Sequence, residues 1–144
     1  MARVTGIGGV FFKAKGDPAA LSAWYRDCLG MPLQDFGGGV LQWAEDTAPD
    51  GGLTVWHTAK ADTSWFEPSQ SSFMINYRVD DMTELLAHLK TKGVETIQGP
   101  ESHENGVFAW ILDPDGNKVE LWQPMELDPK NKAPAEGSVD ITRD

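Results

Sequence analysis

Apolar and polar positions are ordered most clearly over residues 106–124. Two apolar runs, 107–112 and 119–122, flank Asp-Pro-Asp-Gly-Asn at 113–117. Asp115-Gly116 suits a tight turn, because glycine tolerates the positive φ that hairpins need. The pattern predicts two antiparallel strands and a turn. In the second strand Val119 and Leu121 face one way, and Lys118, Glu120 and Trp122 the other. A carboxylate therefore stands beside a large aromatic on one sheet face, aimed at solvent or into a cavity.

The same pattern occurs earlier in the chain. Gly-Val-Leu-Gln-Trp at 39–43 echoes Gly-Val-Phe-Ala-Trp at 106–110, and Pro-Asp-Gly at 49–51 echoes Pro-Asp-Gly at 114–116. Thr-Val-Trp at 54–56 echoes Glu-Leu-Trp at 120–122. Before each hairpin an apolar strand, 7–14 or 73–79, precedes a helix opened by aspartate and closed near Gly30 or Gly93. In the first helix Asp17 is an N-cap and Pro18 a first-turn proline. Leu21, Trp24, Tyr25 and Cys28 fall on one face, as do Met82, Leu85, Leu86 and Leu89 in the second helix. Asp81 with Glu84 is a capping-box-like start. Further strands are expected at 32–36, 40–43, 53–57 and 94–98. The chain thus shows one strand–helix–three-strand unit used twice, and two copies should pair with each other. Gly37-Gly-Gly39 is no phosphate loop, since neither Lys-Ser/Thr nor a helix start follows it.

The second unit also assigns faces. Phe73, Ile75, Tyr77 and Val79 suit packing under a helix, and Met74, Asn76 and Arg78 form a mixed face suited to a cleft. Residues 59–72 read as a connector anchored by Trp65 and Phe66. After Pro124 periodicity stops, and 125–144 reads as a polar C-terminal tail.

Size and charge narrow the function. At 144 residues the length suits one domain with a real core. Six tryptophans supply material for cores and pockets alike. The net charge of −10 argues against nucleic acid or an anionic membrane as partner; it serves solubility first, and argues only mildly for a cationic or neutral partner. One cysteine excludes an internal disulfide and fits a reducing compartment. No apolar run is long enough to span a bilayer, and Met1-Ala-Arg leads into no signal-peptide core, so a cytoplasmic protein is expected.

The duplicated unit, the helix Asp-Pro-Ala-Ala-Leu-Ser-Ala-Trp-Tyr-Arg-Asp-Cys-Leu-Gly at 17–30 and the hairpin Leu-Asp-Pro-Asp-Gly-Asn-Lys-Val-Glu-Leu-Trp at 112–122 together resemble the vicinal oxygen chelate superfamily. That superfamily holds glyoxalase I, extradiol dioxygenases, and fosfomycin- and bleomycin-resistance proteins. The resemblance covers residues 5–124. It implies an α+β fold: two tandem βαβββ modules, about 5–58 and 72–124, forming a curved-sheet cup with helices on the outer faces. Residues 1–124 would be a single glyoxalase-like domain. It also implies a homodimer, which would cover apolar sheet surface.

In metal-dependent relatives four strands supply His and Glu ligands to one divalent cation, which acts as a Lewis acid. The last ligand position matches Glu120. The ligand opening the second unit falls on Met74. That of the first strand falls on Gly9 or Val10, and that of the first unit's last strand on Thr54 or Val55, depending on alignment. Only Glu120 suits Mg, Mn, Fe or Zn. The expectation is therefore no catalytic metal and no cofactor. A rebuilt divalent metal site would need Glu120, His57 and His103; His88 is expected at the surface.

Two function classes follow. One is a bleomycin-resistance-like protein binding a small molecule in an aromatic cleft, lined by Met74, Asn76, Arg78, Glu120 and Trp122, with Phe11 or Phe12, Trp43 and Trp56. The other is a lyase, isomerase or dioxygenase of this superfamily. There Glu120 would be a metal ligand, or a base whose desolvation beside Met74 and Trp122 suits proton abstraction. An ion pair with Arg78 or Lys118 would instead make Glu120 structural.

Overall fold

Asp17 and Pro18 open the first helix where the sequence places them. In the computed structural model, which describes residues 1–125, helix α1 spans Pro18–Leu29. The Asp17 carboxylate accepts from the Ala19 amide at 3.1 Å. Gly30 closes the helix at φ 68, a conformation that costs any residue with a Cβ. Helix α2 spans Met82–Thr91, and Asp81 accepts from the Glu84 amide at 3.0 Å.

Among the described residues four strands accompany the helices: β1 Ile75–Arg78, β2 Gln98–His103, β3 Gly106–Leu112 and β4 Lys118–Pro124. Their order across the sheet is β1-β4-β3-β2. β1 runs parallel to β4, and the other neighbours are antiparallel. The class is α+β, as expected. The hairpin β3–β4 is the centre of the sheet, and its turn is held by one side chain. Asp113 Oδ1 accepts from the amides of Asp115 and Asn117, both at 2.9 Å. Asp113 Oδ2 accepts from Asn117 Nδ2 at 2.8 Å and from the Tyr25 hydroxyl at 2.7 Å. The same carboxylate thus ties α1 to the hairpin. Burial, with Tyr77 and Asp113 close by, pushes the Tyr25 phenol well above its ordinary pKa, and burial brings Tyr77 up to about 12.

The β3–β4 hairpin is buried on both faces. On one, Ala109, Ile111, Val119 and Leu121 pack with Cys28 of α1 and with Met82 and Leu89 of α2. Tyr77 and Val79 join this layer, as alternation predicts. On the other, Phe108, Trp110 and Trp122 form a second cluster with Leu53, Val55 and Met74 against it. Cys28 is buried in the first layer, as its place on the apolar stripe of α1 requires.

Three expectations about this architecture need correction. The strands expected at 7–14, 32–36, 40–43 and 53–57 do not form. Apart from an isolated bridge between Leu33 and Gly39, the described residues of the first half hold no β pairing. Glycines at 6, 8, 9, 16, 37–39, 51 and 52, with Pro32 and Pro49, break each apolar run, and such residues weaken strand interiors. The helices do not lie on separate sheets: both cover one face of the single sheet. The strand expected at 94–98 lies at Gln98–His103 instead, with only Gln98 in common. The tail at 125–144 falls outside the described residues beyond Met125.

Candidate functional site

The sheet face turned away from the helices carries the chemistry. Strand register places Asn76, Glu120 and Trp110 in one row, and Arg78, Trp122 and Phe108 in the next. Side chains alternate along a strand, so these six share a face. Glu120 is 1% exposed. Its Oε1 accepts from Asn76 Nδ2 at 2.7 Å and its Oε2 from Trp110 Nε1 at 2.8 Å. A buried carboxylate needs such donors, because leaving it without them would cost several kcal/mol, roughly. The rings form a stack: Phe108 lies 5.7 Å from Trp122 at 7° and 6.3 Å from Trp110 at 18°. Trp122 Nε1 donates to the Asn105 carbonyl at 2.9 Å.

Two cations border the stack. Lys118 is 4% exposed; its ammonium donates to the Trp65 carbonyl at 2.8 Å and to Gln98 Oε1 at 3.3 Å. It lies 5.9 Å from the Trp110 ring centre. Burial holds its pKa below the ordinary lysine range, against the opposing pull of Glu120, Glu67 and Glu101. Arg78 sits 5.0 Å over the Trp122 ring. Its guanidinium is forked between two carboxylates from the first half: Nε and Nη2 to Asp46, and Nη1 and Nη2 to Asp50. The Arg78 hydrogen bonds hold Asp46 below the usual carboxylate range. Burial opposes the same shift at Asp50, and the contacts to Arg78 and to the Gly52 amide outweigh it.

Beside the stack lies a cavity of about 560 Å³. Trp56, His57, Phe66, Glu67, Phe73 and Met74 are among the residues lining it. Met74 belongs to both places, since it also packs on the aromatic stack.

Of the residues expected to line a cleft, Met74, Asn76, Arg78, Glu120 and Trp122 are brought together, and Trp56 borders the cavity. Phe11 and Trp43 are not brought there: neither packs on the stack nor lines the cavity, and they are 95% and 72% exposed. Their strands do not form, so parity has no sheet to act on; Trp43 begins a short 3-10 turn, Trp43–Glu45. Phe12 packs instead with Tyr25 and Phe73, 6.2 and 5.8 Å away. The expected alternative of a Glu120 ion pair with Arg78 gives way to the Asp46–Asp50 fork. Phe108, Trp110, Asp46 and Asp50 were missed. Hairpin pairing about Asp115-Gly116 sets Trp110 opposite Glu120 and carried that signal in the sequence. Asp46 and Asp50 had none, being brought in by long-range folding.

The three groups of the rebuilt metal site do not converge. His57 tilts against Trp65 at 6.2 Å, and His103 bonds Glu101 at 3.1 Å on the sheet edge. His88 reaches the Asp27 carbonyl at 2.9 Å. Among the described residues no group of three or more His, Cys, Asp or Glu could hold a metal ion. The donor set around Glu120, an amide and an indole, does not fit a divalent cation. No helix among the described residues is long and apolar enough to cross a membrane.

Residues 12–121 match the family model described as Glyoxalase/Bleomycin resistance protein/Dioxygenase superfamily. A solved structure from the mobile metagenome of V. Pseudocholerae is 18% identical, with a TM-score of 0.55 over 85% of this chain and 97% of that one. At that identity the likeness shows the fold alone. A glyoxalase/bleomycin resistance protein from Streptomyces sp. CB03234 is 36% identical over 36% of this chain, with a TM-score of 0.33; the match spans less than half of that protein's length, 46%. An antibiotic binding protein from the same organism is 22% identical, covering 76% of this chain and 88% of its own, with a TM-score of 0.46. No curated protein sequence matches significantly.

Proposed function

We propose that this chain, which belongs to the glyoxalase/bleomycin resistance protein/dioxygenase superfamily, binds a small organic molecule in the cavity that borders its aromatic sheet face and works without a catalytic metal. Membership rests on the family match over residues 12–121 and carries the glyoxalase-like fold with it. The observation that carries the binding reading is the cavity of about 560 Å³ beside the Phe108–Trp110–Trp122 stack. Ligand pockets run roughly from 300 to 1,000 Å³ and are lined by aromatic and apolar groups with a few placed polar ones. Trp56, Phe66, Phe73 and Met74 supply the first kind, and His57 and Glu67 the second.

Glu120 supports binding rather than turnover. Its two oxygens already accept from Asn76 and Trp110, so the carboxylate orders the aromatic rows. The donor set supports metal-free function: Glu120 matches a carboxylate ligand position of the metal-dependent relatives, but Met74 cannot replace an imidazole, and both Glu120 oxygens already accept from Asn76 and Trp110. A homodimer is part of the proposal, because Val10, Phe11, Leu41 and Trp43 stand exposed and a second copy could cover them. A cytoplasmic location is the compartment that a lone buried thiol suits.

The test is calorimetric titration of the purified protein with 8-anilinonaphthalene-1-sulfonate, with and without EDTA. The expected result is saturable binding that EDTA leaves intact and Trp56→Ala with Phe73→Ala weakens. Stoichiometric Zn, Ni, Mn or Fe(II) bound at micromolar affinity, and lost in Glu120→Ala, would overturn the metal-free reading.

A further inference from the structure

The aromatic face cannot be reached as it stands. Phe108 and Trp110 are 0% exposed, and Glu120 and Trp122 nearly so. Part of their cover is residues 46–57, an irregular segment of the first half. Leu53 and Val55 of this segment pack on the stack, and Trp56 and His57 border the cavity. Two features suit the segment to move. It has no sheet partners among the described residues, and Gly51 and Gly52, at φ 82 and 77, give it a joint that other residues would resist. What pins it is Arg78, forked to Asp46 and Asp50.

We propose that residues 46–57 form a strap latched on Arg78, and that the ligand releasing it is an aromatic acid. The ligand's carboxylate takes the place of Asp46 and Asp50 on the guanidinium, and its ring settles on the Trp122–Phe108 stack. This rests on the binding reading above and names the ligand class for that site.

The choice of an acid over a cation follows from what each would strand. A cation competing for Asp46 and Asp50 would leave Arg78 without its carboxylates on a strand that cannot move, since β1 is hydrogen-bonded into the sheet. Unpaired charges in such positions are costly. An acid competing for Arg78 leaves Asp46 and Asp50 on a segment that can swing into water, where carboxylates are well solvated. The latch itself shows that the fork accepts carboxylate oxygens in bidentate fashion, with Nη1–Asp50 Oδ2 at 2.9 Å and Nη2–Asp50 Oδ1 at 2.6 Å. Asn76 and Glu120 lie in the adjacent row and would meet polar groups on the ring. The net charge of −10 does not draw an anion from a distance. Selectivity therefore lies in contact, and the association rate should rise with salt as the repulsion is screened.

The experiment compares 2-naphthoate with its neutral isostere 2-naphthamide by calorimetry, on wild type and on Asp46→Asn/Asp50→Asn. Exchange of the Trp110 indole N–H is followed by NMR without ligand. The double variant keeps side-chain size, and circular dichroism with a thermal melt establishes that it is folded; Arg78→Lys, which keeps charge but loses the fork, is the second variant. The expected results are indole exchange about tenfold faster in both variants, and naphthoate, but not naphthamide, bound about tenfold more tightly by the double variant. Arg78→Lys should narrow the preference for the acid. Unchanged indole exchange in a folded double variant overturns the strap. Equal affinity for naphthoate and naphthamide overturns the acid. If neither naphthalene nor the sulfonated dye binds while exchange still accelerates, the strap stands and the binding reading and its ligand class both fall.

Discussion

Gly-Val-Phe-Ala-Trp at 106–110 and Gly-Val-Leu-Gln-Trp at 39–43 differ at two positions, yet Trp110 is 0% and Trp43 72% exposed. In the second segment Val107, Ala109 and Ile111 face the helices while Phe108 and Trp110 face the stack, so both faces can be dry. In the first, Gln42 stands where Ala109 stands in the other, and one face could not enter a packed layer without burying an amide. Closure differs too. Asp113 holds a short turn with three hydrogen bonds and accepts a fourth from Tyr25 of α1. The stretch after Trp43 runs through Pro49, Gly51 and Gly52 before the next apolar residue that packs, Leu53. Local motifs are alike; what differs is whether each face of the strand has an apolar partner waiting for it.

The comparison can be broken by mutation. The largest effect should come from Trp110→Ala, about 3–5 kcal/mol of destabilisation from lost burial and the cavity left behind, with Glu120 also losing a donor. A melt should fall by roughly ten degrees or more. Trp43→Ala should change stability by only about 0.5 kcal/mol or less. If the two drops are equal, the halves are not different in kind. If the Trp43→Ala effect grows with protein concentration, a second copy covers that side chain, as the dimer proposal requires.

Asp113→Ala should come next, at about 2–3 kcal/mol, since it removes the acceptor of the turn and leaves the buried Tyr25 hydroxyl without its partner. Tyr25→Phe should cost less, about 1 kcal/mol, because the turn itself survives. Chemical denaturation at constant slope would measure both.

Asp46→Asn/Asp50→Asn should cost only about 1 kcal/mol globally, because the two amide oxygens can still accept from the Arg78 guanidinium and do not strand it, while the strap loses its charge pairing and opens with the sheet still folded. Its pH counterpart has a definite sign. Both carboxylates are held below the usual value of about 4, so the latch contributes fully above that value and is lost as pH falls through the lowered values. Protection of the Trp110 indole N–H, taken as its exchange relative to free indole at the same pH, should therefore stay flat from neutral pH down to about pH 4 and fall only below it. Loss of protection already near pH 6 would point to another group. Smallest of all should be Phe11→Ala, whose 95% exposed ring leaves little burial to lose.

Both helices and much of the second half were legible in sequence. Asp17, Pro18 and Gly30, and Asp81 and Glu84, marked helix ends because capping is settled within a few residues. Asp115-Gly116 between apolar runs marked the hairpin, and period-two alternation then set Glu120 and Trp122 on the face of Asn76 and Arg78. Their pairing across β1 and β4 agrees. The resemblance to a known superfamily agreed with the family match for the same reason: these caps and turns are what a family pattern records.

Tertiary structure alone decided the rest. No local signal says that Arg78 meets Asp46 and Asp50, 32 and 28 residues away, or that Lys118 reaches the Trp65 carbonyl, 53 away. Nor does alternation say whether a run of apolar residues will find an edge to pair with. It assigns faces on the condition that a sheet exists, which holds at 106–124 and fails at 40–43 and 53–57. A strand is stabilised by hydrogen bonds and contacts to other segments, so its existence is a property of the assembled sheet, whereas a cap or a turn is a property of the residues themselves.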